Sequence, residues 1–110
     1  MKLYFILLFL LGLSNAAQSQ ISELEAESYL GKYKIETNHL IAEGEVLFEN
    51  QNLVFLTEGI PRVILMQMPE YDKFKADKFE IILQFLRDDF KEVIAVKIYF
   101  QGQEFLAKKV

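Results

Sequence analysis

From Gly31 onward the chain is a succession of short apolar or alternating runs, and no segment between them is long enough to be a crossover helix. Parallel strands need a crossover of a dozen or more residues, so these strands must pair with their sequence neighbours, antiparallel. Tyr33 and Ile35 alternate with Lys32, Lys34 and Glu36, and Val46 and Phe48 with Glu45 and Glu49. That period of two belongs to a half-buried strand. The turn clusters Asn50-Gln51-Asn52 and Glu58-Gly59-Ile60-Pro61 bracket Leu53 to Thr57. The run Arg62 to Met68 ends at Pro69. A short arm over Lys73 to Ala76 and a tight turn at Asp77-Lys78 precede a long arm with Phe79, Ile81, Leu83 and Phe85 on one face. In the next run Ile94, Val96, Ile98 and Phe100 share a face, then Gly102 turns the chain into the last strand. The expected fold is mainly β: one antiparallel meander of about eight strands. Several strands are apolar on both faces, which favours a sheet curled into a barrel that hides one face and its edges.

The segment before the strands reads differently. Ser22 and Glu25 have the spacing of a helix capping box, with Ile21 and Leu24 as an apolar stripe and Gly31 as a stop. A short N-terminal helix over about Glu23 to Tyr29 is expected. Upstream, Lys2 precedes an apolar run from Leu3 to Leu13 and then small polar residues. This is the layout of a signal peptide, at residues 1–16 with Ser14 and Ala16 at the cleavage positions, or cut as late as residue 19. The run is about half the roughly 20 residues a spanning helix needs, so no stable membrane anchor is expected after cleavage. Residues 20–110 then form the folded domain, in the periplasm or outside the cell.

With no cysteine among 110 residues, disulfides, thiol nucleophiles and thiolate metal sites are excluded together, as is a lipid-attachment cysteine. The formal net charge is −4, one unit more negative without Lys2. Nucleic acid and anionic membranes are therefore poor partners.

The order of Tyr29-Leu30-Gly31-Lys32-Tyr33, a meander, and the stretch Phe79 to Val110 resembles a lipocalin-like β-barrel domain of unknown function. That domain is commonly appended C-terminally to serine β-lactamase-related hydrolases and peptidases; here it stands alone. The resemblance rests on Tyr29, Gly31, Tyr33, Phe85, Arg87, Asp88, Val93, Gly102, Glu104, Ala107, Lys109 and Val110, and covers about Glu25 to Val110. It implies a lipocalin-like barrel in an accessory or assembly role. Two departures stand out. Lys91 occupies the place where the family has a turn glycine, and the catalytic domain's Ser-x-x-Lys motif is absent from this sequence. The hydrolase activity does not carry over. The resemblance and the cysteine-free leader together point to a bacterial, Gram-negative source.

No residue set converges on chemistry. His39 is the only histidine, and it reads as a surface loop residue. Ser14, Ser19, Ser22 and Ser28, the only serines, lack a nucleophile-elbow context. Asp88-Asp89 reads as a solvated turn rather than an acid–base pair. Calcium-loop spacing and phosphate-cradling glycines are both missing. No catalytic residue, metal site or cofactor is expected. Ten Phe and five Tyr are the unusual feature. Phe48, Phe55, Met66, Met68, Phe79, Phe85 and Phe100 are expected to face inward, as packed core or as the wall of a ligand cavity. Two functions follow: an exported, non-catalytic interaction or assembly module with a protein partner or self-association, or a small carrier holding an apolar ligand in a cavity of about 300 Å³ or more.

Overall fold

A computed structural model describes residues 21–36 and 41–110. The signal-peptide reading of residues 1–16 and the loop reading of His39 fall outside the described residues. A short helix α1 (Glu23–Glu27) leads into β1 (Gly31–Glu36), β2 (Ile41–Glu49), β3 (Asn52–Thr57), β4 (Ile60–Gln67), β5 (Lys73–Ala76), β6 (Ile82–Arg87), β7 (Val93–Phe100) and β8 (Gln103–Lys109). Each strand pairs antiparallel with the next, and β8 returns to β1, closing the barrel. The fold is the expected mainly-β meander with one short helix, and closure settles how the sheet buries its first apolar face.

Helix α1 starts as its sequence suggests. Ser22 caps it: its hydroxyl accepts from the Glu25 N–H at 3.2 Å and donates to the Glu25 carboxylate at 2.9 Å. The helix has five residues, within the expected span, and its buried stripe is Ala26 and then Tyr29, with Ile21 ahead of it. Leu24, expected inside, is 81% exposed.

Inside the barrel the period of two holds. Tyr33, Val46, Leu53, Phe55, Val63, Leu65, Phe74, Leu83, Phe85, Val96 and Ala107 form one buried cluster, with Phe48 and Phe100 packed half-buried against it. Gly44 shows how tightly strands are matched. A Cβ there would lie 2.7 Å from Cε1 of the Phe55 ring, so the missing side chain is what lets that ring lie across β2.

Four expected positions differ, each for a local reason. In β4, Val63 and Leu65 pair with Phe55 and Leu53 and take the inward phase, so Met66 falls on the outer face opposite Lys75. Met68 lies beyond the end of β4; both methionines are half-buried outside the core cluster. Phe79, 47% exposed, sits in a wide 77–81 turn at φ +67°, beside Glu80 at φ +50°. That turn replaces the two-residue Asp77-Lys78 hairpin because Asp77 is bound elsewhere: its N–H donates to the Ile64 carbonyl and its carboxylate accepts the Ile64 N–H. In β7 the register shifts, Leu86 facing Ala95 and Arg87 facing Val93. Ile94 is the extra residue of that bulge and turns outward, and Val93 takes the inward place.

Replacing Gly44 by alanine should lower stability by about 1–3 kcal/mol through overpacking against Phe55. Urea denaturation should also show the Gly44→Ala/Phe55→Leu double variant losing less than the two single losses added together. Gly102, at φ +75° with open space around it, serves as the control. Gly102→Ala should cost about 1–2 kcal/mol from backbone conformation alone and show no coupling to Phe55.

Candidate functional site

The barrel's two ends are built differently. At one end lie α1, the β2–β3 turn, the 68–72 loop, the 88–92 loop and the chain's last residue. A packed set of rings fills this end: Tyr29 and Phe85 centroids are 4.8 Å apart, Tyr29 and Phe74 5.1 Å, Phe74 and Phe85 5.7 Å, Tyr33 and Phe85 5.8 Å.

Over these rings lies an ion pair between buried Asp72 and half-buried Arg87. Arg87 follows Leu83 and Phe85 in the inward phase of β6, so its guanidinium emerges over the barrel end. Its Nε donates to Asp72 Oδ2 at 2.8 Å and its Nη2 to Asp72 Oδ1 at 3.0 Å. The Tyr29 hydroxyl donates to the same Oδ1 at 2.7 Å. Asp72 is the buried charged residue among those described, 7% exposed, in a left-handed backbone conformation at φ +59°. That conformation aims its carboxylate inward, and its carbonyl accepts the Phe85 N–H at 2.9 Å. The remaining guanidinium donors reach the Lys91 carbonyl at 2.7 Å and the Ser28 hydroxyl at 3.3 Å. Arg87 also stacks over the Tyr29 ring, 5.4 Å from its centroid, and over the Tyr71 ring at 5.7 Å. The Lys109 ammonium donates to the Ser28 carbonyl, so the end of α1 is held from two sides.

The electrostatics follow from this geometry. Burial, then the hydrogen bond to Asp72, pushes the Tyr29 phenol up to about 12. Burial also pushes Tyr33 above its ordinary range, with its hydroxyl donating to the Tyr29 carbonyl at 2.7 Å. Arg87 is held above its ordinary range chiefly by its hydrogen bond to Asp72. At neutral pH the phenol is a donor and the carboxylate oxygens accept three hydrogen bonds. The cluster acts as a clasp tying the helix and two loops to β6.

Of the residues that carry the sequence resemblance, Tyr29, Gly31, Tyr33, Phe85, Arg87, Asp88, Val93, Lys109 and Val110 gather at this end, while Ala107 lies further along the barrel, paired with Val96 and Ile35. Gly31, at φ +142°, has the Lys109 side chain against the place a Cβ would fill, at 3.0 Å. Asp88 braces the 88–92 turn: its carboxylate accepts the Phe90 and Glu92 N–H groups at 2.9 and 3.0 Å. Lys91 takes φ +64° there, so the turn keeps a backbone that suits glycine although the residue is lysine. Gly102 and the exposed Glu104 lie at the opposite end. Asp72 has no place in the sequence reading; the available signal is Arg87 in phase with inward Leu83 and Phe85, which calls for acceptors without saying which residue supplies them.

Among the described residues, the other end is an open mouth. Ile35, Phe55, Thr57, Glu58, Ile60, Ile81, Ile98, Phe100 and Phe105 line a cleft of about 160 Å³. This is smaller than the cavity of about 300 Å³ expected of a carrier. The rings of the clasped end occupy the other half of the interior. Phe55 and Phe100 line the cleft, Phe48 packs against the core, and Phe85 belongs to the clasped end. Phe79 and the two methionines are absent from the cleft lining. Among the described residues there is no His/Cys/Asp/Glu group spaced to hold a metal, and no helix is long and apolar enough to cross a membrane.

These features define a small, closed, eight-stranded antiparallel barrel, clasped at one end and open at the other. Comparison with protein-family models, curated proteins and solved structures finds no match to this chain.

Asp72→Asn should cost about 3 kcal/mol in equilibrium denaturation, because it leaves the Arg87 charge without its partner in a largely buried site. Arg87→Lys should lose less, since one hydrogen bond of the fork survives. A second expectation concerns pH. Tyr29 and Tyr33 hold their protons more tightly folded than unfolded, so the native state binds more protons above the ordinary tyrosine value of 10.0. Their contribution is whole below pH 10 and is lost as pH rises through about 12. Denaturation midpoints measured from neutral to strongly alkaline pH should fall in that window, and less steeply in Tyr29→Phe.

Proposed function

We propose that this chain is an exported, non-catalytic interaction module with a lipocalin-like barrel. The observation that carries this reading is the surface of the clasped end. Leu24, Tyr71 and Phe90 are 81%, 79% and 85% exposed there, on α1 and the two loops that Arg87 joins. Large apolar side chains beside an arginine are the residue types that anchor protein interfaces. The clasp supports them on a frame already ordered before binding, which lowers the entropic cost of association. Each strand has a neighbour on both sides, so strand addition at a free edge is not the route. Docking goes through side chains. Export to the periplasm or the medium rests on the N-terminal pattern, and the accessory role agrees with the resemblance to domains appended to hydrolases.

The protein expressed with its own leader and purified from a bacterial periplasm should appear in native mass spectrometry as a multiple of the cleaved monomer mass. Tyr71→Ser/Phe90→Ser should return it to the monomer while leaving far-ultraviolet circular dichroism unchanged. An oligomer that survives both changes would place the contact elsewhere. A monomer at every concentration would remove self-association, and an uncleaved leader would remove export.

A further inference from the structure

We propose that the clasped end docks, in a second copy of this chain, on the outer wall formed by β7, β8 and β1. The inference rests on the reading of the clasped end as an interaction surface and names what that surface meets. Its charge decides the partner. Exposed carboxylates stand beside each of the three exposed apolar side chains: Glu23 and Glu25 flank Leu24, Glu70 precedes Tyr71, and Asp89 precedes Phe90. Lys91, next to Phe90, is the exposed base among these chain neighbours. A symmetric dimer would press this end on itself. That would set the carboxylates against their own copies, and like charges brought together across an interface oppose association. The end therefore needs a surface of opposite sign with apolar side chains of its own.

The barrel carries such a surface on its outer wall. Lys34, Leu106, Lys108 and Val110 line a cleft of about 530 Å³ there. Leu106 is 47% and Val110 79% exposed. Lys34 and Lys108 stand directly opposite each other across the β1–β8 ladder, and Lys97 is paired with Leu106 across the β7–β8 ladder. Like charges opposed in this way destabilise a sheet, and a carboxylate seated beside them relieves the repulsion. Lys109 also lines the cleft, but its ammonium is held by the Ser28 carbonyl; Glu104 lies on the mouth side. Glu43 is opposite Lys34 on β2, yet the ion pairs among the described residues are Arg62–Glu49 and Arg87–Asp72. Lys34, Lys97 and Lys108 thus keep their charge for an outside partner. Leucine amid lysines on the wall complements leucine and aromatic rings amid carboxylates on the end. Each copy carries both surfaces, so the contact joins unlike patches.

The test compares three forms of the periplasm-purified protein by sedimentation equilibrium: the unaltered chain, an end variant Glu70→Lys/Asp89→Lys, and a wall variant Lys97→Glu/Lys108→Glu. All four side chains are exposed or half-buried and lie outside the clasp, so both variants should keep the far-ultraviolet circular dichroism of the unaltered chain. The unaltered chain should self-associate, and each variant alone should do so about tenfold more weakly or worse. An equimolar mixture of the two should regain association, because the wall variant keeps a native end and the end variant a native wall. If the wall variant associates normally while Tyr71→Ser/Phe90→Ser dissociates, this partner is overturned and the interaction surface stands. Association that survives the end variant and the Tyr71→Ser/Phe90→Ser variant alike would overturn both readings. A mixture that stays monomeric, or an unaltered chain monomeric at every concentration, would overturn the proposal.

Discussion

The Asp72–Arg87 pair is the interaction on which the arrangement of this barrel depends. Two charges are withdrawn from water at a barrel end, and their attraction alone does not guarantee a net gain. What offsets the loss is completeness. Arg87 donates to Asp72, the Lys91 carbonyl and the Ser28 hydroxyl, and Asp72 also accepts from Tyr29. Together those bonds reach three pieces of chain: the loop before β5, the loop after β6, and, through Ser28 and Tyr29, the end of α1. Apolar packing of Ala26 and Tyr29 could hold the helix near the barrel, but it is non-directional. The fork geometry of the guanidinium specifies where the helix and loops sit.

The same pair shows how far the sequence could be read. Strand phases set by polar alternation, as around Tyr33 and Val46, are unambiguous because one face must be wet. Met66 marks where that logic fails. In a run with Val63, Ile64, Leu65 and Met66 all apolar, only the pairing with β3 decides which residues go inside. Ile94 fails for another reason: a bulge inserts one residue and reverses the phase beyond it, and no local pattern announces it. Phe79 reads as the first residue of a strand if Asp77-Lys78 is a hairpin turn, but the Asp77 side chain and N–H both serve β4. Of the clasp, Arg87 and Tyr29 stood out in the sequence, but Asp72, fifteen residues upstream of Arg87 in a loop, is assigned only by three-dimensional closure.

Closure also divides the remaining apolar surface into distinct problems. The inner face is solved at the clasped end by ring packing and left incomplete at the mouth, where isoleucines and three phenylalanines wall a cleft. On the outer face, Val54 is buried although it is outside the core cluster, set between Leu47 and Ile64 across the ladders of β2, β3 and β4. Val54 is thus flanked by apolar neighbours on the same sheet.

What is left uncovered is concentrated by the clasp. Leu24, Tyr71 and Phe90 would gain burial if α1 and the two loops folded inward, yet the bonds from Arg87 and Asp88 fix those segments with the apolar side chains outward. A loop held in that posture forgoes intramolecular burial worth about 25 cal/mol for every Å² of apolar surface. Nothing inside the barrel recovers that loss, because the interior beneath is already filled by Tyr29, Phe74 and Phe85. A second surface pressed against this end would recover it without rearranging the clasp. The mouth differs in kind: its unfilled volume is concave and small, so a macromolecule cannot enter it and a single apolar group can. The barrel thus presents exposed Leu24, Tyr71 and Phe90 over a filled interior at one end and a narrow apolar recess at the other.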